Sequence, residues 1–458
     1  MRENMNRPVY QMLREASRRA SGHMPGHKGK APFGPVDFYA LDTTELPLTD
    51  DLYAPERGLK EAQERYARAV GAASTLFLHN GSTCGIHVMM QLWAREGDTV
   101  LLPRNAHLSA VNGCVLGGVR VRWIPVRQTE DGYCYISPED VLAALDKYPE
   151  AKALLLTRPD YYGGRIILRD IVKKAHDMGV RVCVDEAHGA HMPWVHEEPS
   201  AGALGADAWV QSVHKTLPGL TGAAVLHLRQ AQYADAALRI VRREQTSSPS
   251  FLLMMSIDDA RAYMEEQGWP RLRQVIDAAD MVRSSLASLG YREAHAMWHS
   301  TGQSFDPTRL VIDAPQGGAK LARQLQERGV DVEMHDLRRV VLILSAMDEM
   351  EEILRLRDVL AAISPEASPV PLLPLPLDIP ERAMEVRQAA MANTEAVPVA
   401  QAVGRIAAAS AGLYPPGIPL VCPGEIINEA VADRLLHAKN QERFGVEGDC
   451  LLCVGKNV

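Results

Sequence analysis

Residues 182–194 read VCVDEAHGAHMPW, and the fold turns on them. The run VRVCV (180–184) is short, apolar and β-branched, the composition of a strand buried on both faces. Asp185 then stands at the carboxyl end of that strand, the edge where open α/β sheets bind ligands. The next letters complete Asp185-Glu186-Ala187-His188, the D-E-A-H string of nucleic-acid helicases, in which the acidic pair serves Mg²⁺ and ATP. Such an ATPase also needs a phosphate loop, G-x-x-x-x-G-K-[ST]. The nearest segment, GHMPGHKGK (22–30), has no glycine at the required spacing and continues with Ala31 instead of a hydroxyl residue. A formal net charge of −8 also disfavours nucleic acid as a partner. The short basic run Arg14, Arg18, Arg19 holds Glu15 and apolar residues and reads as one helix face. The acidic pair must serve other chemistry.

Outward from this strand, residues 58–230 alternate between two patterns. DTVLLP (98–103), VRVRWIPV (119–126), KALLLT (152–157), ADAWVQ (206–211) and GAAVLHL (222–228) are strand-like. Between them lie helical segments such as SPEDVLAALDKYP (137–149), with an N-cap serine and proline at the first helical position. The strands are continuous apolar runs, which predicts a largely parallel sheet under helices. Residues 1–57 are rich in Gly, Pro and charge and read as an extended arm lying on something else, a second subunit for choice. A long helical connector over 256–290 closes a large domain, 58–290. A smaller α/β unit follows over 291–458, interrupted by a Pro-rich linker at 364–380.

With 47% hydrophobic and 23% charged residues among 458, the chain has the composition of a soluble globular protein with a large core. It has no membrane-spanning apolar run and no apolar segment at its start, so no signal peptide and a cytoplasmic location are expected. Cys450 and Cys453 form a lone CxxC without the second pair that a zinc site needs. His188 and His191 have a ligand-like spacing but no third partner in view, so no metal is expected.

Three features share the carboxyl edge of this sheet. Asp185 ends one strand. Ser212, His214 and Lys215 end the next, and a desolvated lysine there can form a Schiff base. Gly81, Ser82 and Thr83 stand between a strand and a helix N-terminus, an anion site built from backbone N–H groups, hydroxyls and the helix dipole. Phosphate cradle, lysine and carboxylate together match pyridoxal phosphate, whose ring nitrogen pairs with a carboxylate.

The motifs HMPGHKGK (23–30), DTTEL (42–46), DDL (50–52), NGSTCG (80–85), PRNAH (103–107), DEAHGAH (185–191), SVHKTLPGLTG (212–222), SSPS (247–250) and YPPGIPLVCPGE (414–425) stand in one order. In that order they resemble the prokaryotic Orn/Lys/Arg decarboxylases, in the short form without an N-terminal regulatory domain. The resemblance implies an aspartate-aminotransferase-like large domain of fold type I with a smaller C-terminal α/β domain, and a homodimer or higher even oligomer with its active site at the interface. It implies that Lys215 carries the cofactor, Asp185 pairs with the pyridine nitrogen, and His107 and Ala187 take opposite faces of the ring. Ser82, Thr83, Ser212 and His214 would hold the phosphate, completed by Thr246 or Ser247 of a neighbouring subunit. His188 would sit near the cofactor's phenolic oxygen or the substrate carboxylate. The chain departs from the family pattern at Cys84, Asp160 and Gly222, where Ser, Thr or Asn, and Gln are common.

The implied reaction is α-decarboxylation of lysine, arginine or ornithine, with Lys215 or His214 returning the proton. A basic substrate needs a carboxylate partner, for which Glu425, Asp50 and Asp51 are the candidates, unless they are solvated loop acids. The alternatives are an aminotransferase or an oxidative enzyme on a basic amino acid, and a catalytically silent binding protein. An aminotransferase needs an arginine for the α-carboxylate, and Arg339 and Arg405 are the C-terminal candidates.

Overall fold

Among the described residues, seven short apolar runs pair into the main sheet. In chain order they are β1 (Ser74–Leu78), β2 (Thr99–Pro103), β3 (Arg120–Ile124), β4 (Ala153–Thr157), β5 (Arg181–Asp185), β6 (Ala208–Gln211) and β7 (Ala224–Leu228). Across the sheet they run β1-β7-β6-β5-β4-β2-β3. The structure is a computed structural model. It describes residues 20–456 except 24, 29, 35–36, 47–48, 196–198, 364, 366–374, 415–416 and 439–442. The first nineteen residues of the arm and most of the Pro-rich linker therefore lie outside the described residues.

Strands β3, β2, β4, β5 and β6 are parallel, because helices return the chain across the sheet between most of them. These are α2 (Leu108–Gly117), α3 (Pro138–Lys147) and α4 (Arg169–Asp177), while α1 (Gly81–Leu92) leads from β1 into β2. The connection from β6 to β7 has only the one-turn helix Val213–Thr216, and β7 returns antiparallel to β6 and β1. Every residue of β2, β6 and β7 is buried, as continuous apolar strands require. Helix α1 lies directly on β6: a Cβ at Gly85 would fall 2.5 Å from Val210 Cγ2. That contact draws the N-terminus of α1 toward the end of β6. Register does the rest, setting Thr157 beside Asp185 and Asp185 beside Val210.

The helical connector is two helices, Phe251–Tyr263 and Trp269–Leu286, joined by a π-type turn at Met264–Gly268. Pro270 offers no N–H to the preceding turn, which accounts for the irregularity. Beyond it lies a four-stranded antiparallel sheet, ordered Arg292–Glu293, Arg309–Asp313, Arg339–Ile343, Met334–His335. Its core includes Val282, Leu310, Ile312, Leu342 and Leu356. The apolar-alternating segment VDVEMHD (330–336) is split at Glu333: Val330–Val332 pairs with the arm, and Met334–His335 with the sheet. The stretch 291–458 holds a further core, with Val397, Val431, Leu435 and Cys453, between Thr394–Pro398, its partner Cys450–Val454 and the helix Glu429–His437. Cys450 and Cys453, three apart on one strand, point to opposite faces and cannot pair.

The arm packs along its own chain where it is described. Ala20–Gly22 pairs in parallel with Val330–Val332. The Gly26 N–H donates to the His214 carbonyl at 2.8 Å, and Ser345 Oγ donates to the Gly26 carbonyl at 2.6 Å. This part of the arm is thus anchored on its own protomer. Farther along, Phe33, Phe38, Tyr39, Leu41 and Leu46 are exposed. No helix among the described residues is long and apolar enough to cross a membrane.

Candidate active site

The carboxyl ends of β4, β5 and β6 open into a cavity of about 480 Å³. Lys215, Asp185, His107, Ala187, His188 and Ser82 all line it. Lys215 sits on the one-turn helix after β6, with its Nζ 3.1 Å from His188 Nε2. Burial holds its amine below the ordinary lysine range; Asp185 and Glu333 pull it back up and Arg309 opposes them. Burial also holds His188 well below the ordinary histidine range, reinforced by the nearby Lys215 and Arg309 charges. His188 is therefore a neutral ring. Tyr161 packs on it with ring centroids 4.9 Å apart.

Asp185 is buried, and its Oδ1 accepts the Ala187 N–H at 3.1 Å, which fixes the turn that places Ala187 in the cavity. His107 caps α2: its Nδ1 accepts the Ser109 N–H at 3.2 Å, so its neutral form carries the proton on Nε2. Glu186, the second acid of the string, points away from the cavity. Its oxygens accept from the Ala201 N–H and Gln211 Nε2, both at 2.7 Å.

The anion cradle forms where α1 begins. Ser82 and Ser212 bring their hydroxyls within 2.9 Å of each other. The Gly81 N–H donates to the Gly222 carbonyl at 2.9 Å, and Gly222 holds φ +97°, a conformation that favours glycine. The departure from Gln at this position thus has a backbone reason. Thr83 is exposed on the first turn of α1, and the His214 Nδ1–H donates to the Ala223 carbonyl at 3.1 Å. Neither lines the cavity. Thr246 and Ser247 are exposed, and Gln245 ties their loop to the backbone N–H groups of His79 and Asn80.

The three expected substrate acids have other engagements. Glu425 forms a buried pair with Arg104 and accepts the Cys422 N–H at 2.8 Å. Asp50 accepts the backbone N–H groups of Asp51, Glu56, Arg57 and Leu59, and Asp51 accepts that of Tyr53. None of the three lines the cavity. Arg339 is tied to Asp131 and Asp336 over the Trp298 ring, and Arg405 to Glu395 and the Val454 carbonyl, so neither faces Lys215.

Three further residues border this site. Asp160 lines the cavity and is bonded by Tyr133 Oη at 2.6 Å, and burial pushes its carboxyl up to about 6. His191 meets Asp306 at 3.1 Å. Arg309, from the second sheet, reaches His188.

Two family models match this chain, "Orn/Lys/Arg decarboxylase, major domain" over residues 7–309 and "Orn/Lys/Arg decarboxylase, C-terminal domain" over 376–444. The chain belongs to the Orn/Lys/Arg decarboxylase family. An arginine decarboxylase of Bacillus subtilis is 34% identical, covering 92% of this chain and 91% of that one. An arginine decarboxylase of Halalkalibacterium halodurans is 33% identical over 93% and 90%. A lysine decarboxylase structure from Francisella novicida superposes with a TM-score of 0.75 at 18% identity, over 88% of this chain and 72% of that one. The decarboxylase family thus brings its own fold, a mostly parallel main sheet with an α/β C-terminal part, as the motifs implied.

Proposed function

We propose that this family member removes the α-carboxylate of a basic amino acid, arginine in first place, with pyridoxal phosphate as cofactor. The observation that carries the reading is a desolvated Lys215 amine sharing one cavity with the Asp185 carboxylate at neighbouring strand ends. The names of the two relatives above favour arginine over lysine and ornithine.

The residues present fit that cofactor. Asp185 offers a buried carboxylate to a protonated ring nitrogen. Ser82, Ser212 and the α1 N-terminus offer donors to a phosphate. When bound, pyridoxal phosphate supplies an electron sink for the electrons left by the departing carboxylate. Lys215, held toward its free base by burial, would be the residue that carries the cofactor. Ile86, Leu108, Val111, Ile418 and Pro419 wall the cavity and strip water from a carboxylate held there, which favours its loss as neutral CO₂. Lys215 Nζ, once it had taken up a proton, would return it to the carbon left behind. Asp160 and the tyrosines 161, 162 and 414 give the cavity wall its affinity for a cationic side chain. The working unit is a homodimer or higher even oligomer, with Thr246 or Ser247 of one protomer completing the phosphate site of the other. Its setting is the cytoplasm, which suits cysteines that are all unpaired.

Incubation with arginine, lysine and ornithine in turn, followed by CO₂ and amine product, tests reaction and substrate together. The reading expects CO₂ with arginine and a visible cofactor band that Lys215→Ala abolishes. A keto acid without CO₂ would favour the aminotransferase.

A further inference from the structure

Both histidines of DEAHGAH (185–191) bind one short segment, Asp306–Arg309, which leads into the strand Arg309–Asp313 of the second sheet. His191 Nε2 lies 3.1 Å from Asp306 Oδ1 and 3.2 Å from Thr308 Oγ1. His188 Nδ1 lies 3.5 Å from Arg309 Nη2, which is also 3.5 Å from the His188 carbonyl oxygen. Arg309 is completely buried. Asp306 approaches it only to 3.8 Å, while Asp306 Oδ1 is engaged by His191 and Thr308. The Nε and Nη1 of Arg309 find no acceptor among the described residues. A buried cation so thinly paired costs stability against an apolar side chain of similar volume. Packing does not account for Arg309, and its contact with His188 does.

A guanidinium carries donors only. At His188 Nδ1 it can meet only a lone pair. The single proton of the neutral imidazole therefore sits on Nε2, which faces Lys215 Nζ at 3.1 Å. An N–H in that place can only donate, so the lysine must supply a lone pair. The opposite tautomer would set an N–H against the guanidinium and let Nε2 accept from a lysine ammonium.

We propose that Arg309 is a positioning residue that fixes His188 as its Nε2–H tautomer and so keeps Lys215 ready as an unprotonated amine. The inference rests on Lys215 being the reactive lysine. The other titratable groups facing this pair are Asp185, Glu333, His107, His214, Asp306 and Tyr161. Asp185 and Glu333 draw the lysine toward its charged form, and Arg309 opposes both. No cofactor is needed for this device to act.

The test uses the full-length protein freed of cofactor. Acylation of Lys215 by acetic anhydride is followed against pH, with the Lys215 peptide quantified by mass spectrometry. In Arg309→Met the midpoint is expected to rise by about one pH unit, about tenfold less free amine at neutral pH. Arg309→Lys, which keeps charge and a donor, should recover part of the shift. Equal midpoints in wild type and a folded Arg309→Met overturn the inference. An ordinary lysine midpoint in the wild type is a different result and overturns the reading of Lys215 itself. Should the methionine variant not fold, ¹⁵N-histidine NMR of the wild type decides, with the His188 signal assigned through His188→Gln. A proton on Nε2 supports the proposal, and a proton on Nδ1 overturns it.

Discussion

The Arg104 guanidinium and the Glu425 carboxylate meet as a two-point ion pair sealed from solvent, Nη1–Oε1 at 2.6 Å and Nη2–Oε2 at 2.7 Å. Arg104 Nε and Nη2 also donate to the Pro419 and Leu420 carbonyls. The pair therefore holds the segment that supplies Ile418 and Pro419 to the cavity wall. Removing one partner leaves an uncompensated buried charge. Glu425→Ala and Arg104→Ala should each cost ~3–5 kcal/mol of stability in urea unfolding, and the double variant less than their sum. A near-zero cost for Glu425→Ala would return that carboxylate to the substrate candidates.

Gly222 carries a second prediction. Its φ of +97° serves the contact with the Gly81 N–H, and an added Cβ would meet nothing closer than the His79 carbonyl oxygen at 3.7 Å. Space is available and only the backbone objects. Gly222→Ala should cost ~1–3 kcal/mol in thermal unfolding and weaken cofactor retention through the displaced Gly81–Ser82 turn. Restoring the residue common in the family, by Gly222→Gln, should be no better tolerated. An unchanged melting temperature in both variants would remove the backbone explanation.

Much of this site is written locally, and the rest is not. Asp185 and Lys215 are legible because one ends a buried apolar strand and the other follows the end of the next, and register brings such ends together. Ser82 is legible because a strand, a glycine and a helix start are adjacent in sequence. Arg309 is invisible because its partner lies 121 residues away and its own surroundings, TRLVIDA, read as an ordinary strand. Glu425 misled for a related reason. An acid in a Pro/Gly-rich loop has the look of a solvated group, and nothing local shows that Arg104, 321 residues distant, encloses it. The strand Thr394–Pro398 gives little local signal, because it is short and mostly exposed and its partner, Cys450–Val454, lies at the far end of the chain.

Asp160 is the residue where this cavity differs in charge from the common Thr or Asn. Its Oδ1 accepts the Tyr162 and Gly164 N–H groups, and Tyr133 bonds Oδ2. Asp160→Asn keeps the shape and removes the charge. With the carboxyl pushed up to about 6, the wild-type side chain gains charge as pH rises through that value. The variant should raise KM for a basic amino acid several-fold above about pH 7 and much less near about pH 5, with kcat little changed. A KM ratio that is flat across this range would deny Asp160 a part in holding the substrate cation.

Glu186, lying next to Asp185, makes its own contribution to the pH dependence of stability. The side chain is wholly buried, with Arg158 no closer than 3.8 Å, and burial pushes its carboxyl up to about 7. A carboxyl raised in the folded state contributes stability that is fully present below its unfolded value of ~4.3. That contribution is lost as pH climbs through about 7, where the buried group is forced to ionise. The loss amounts to ~3 kcal/mol across the window. Glutamine cannot ionise, but it turns an N–H₂ toward one of the donors, Ala201 N–H or Gln211 Nε2, at a cost independent of pH. Glu186→Gln should therefore be less stable than wild type near about pH 4, and the gap should narrow by ~3 kcal/mol or reverse by about pH 8. Urea unfolding of both proteins at the two pH values measures it. A gap of constant size would mean that Glu186 keeps one protonation state throughout, and that its burial behind Asp185 carries no electrostatic cost.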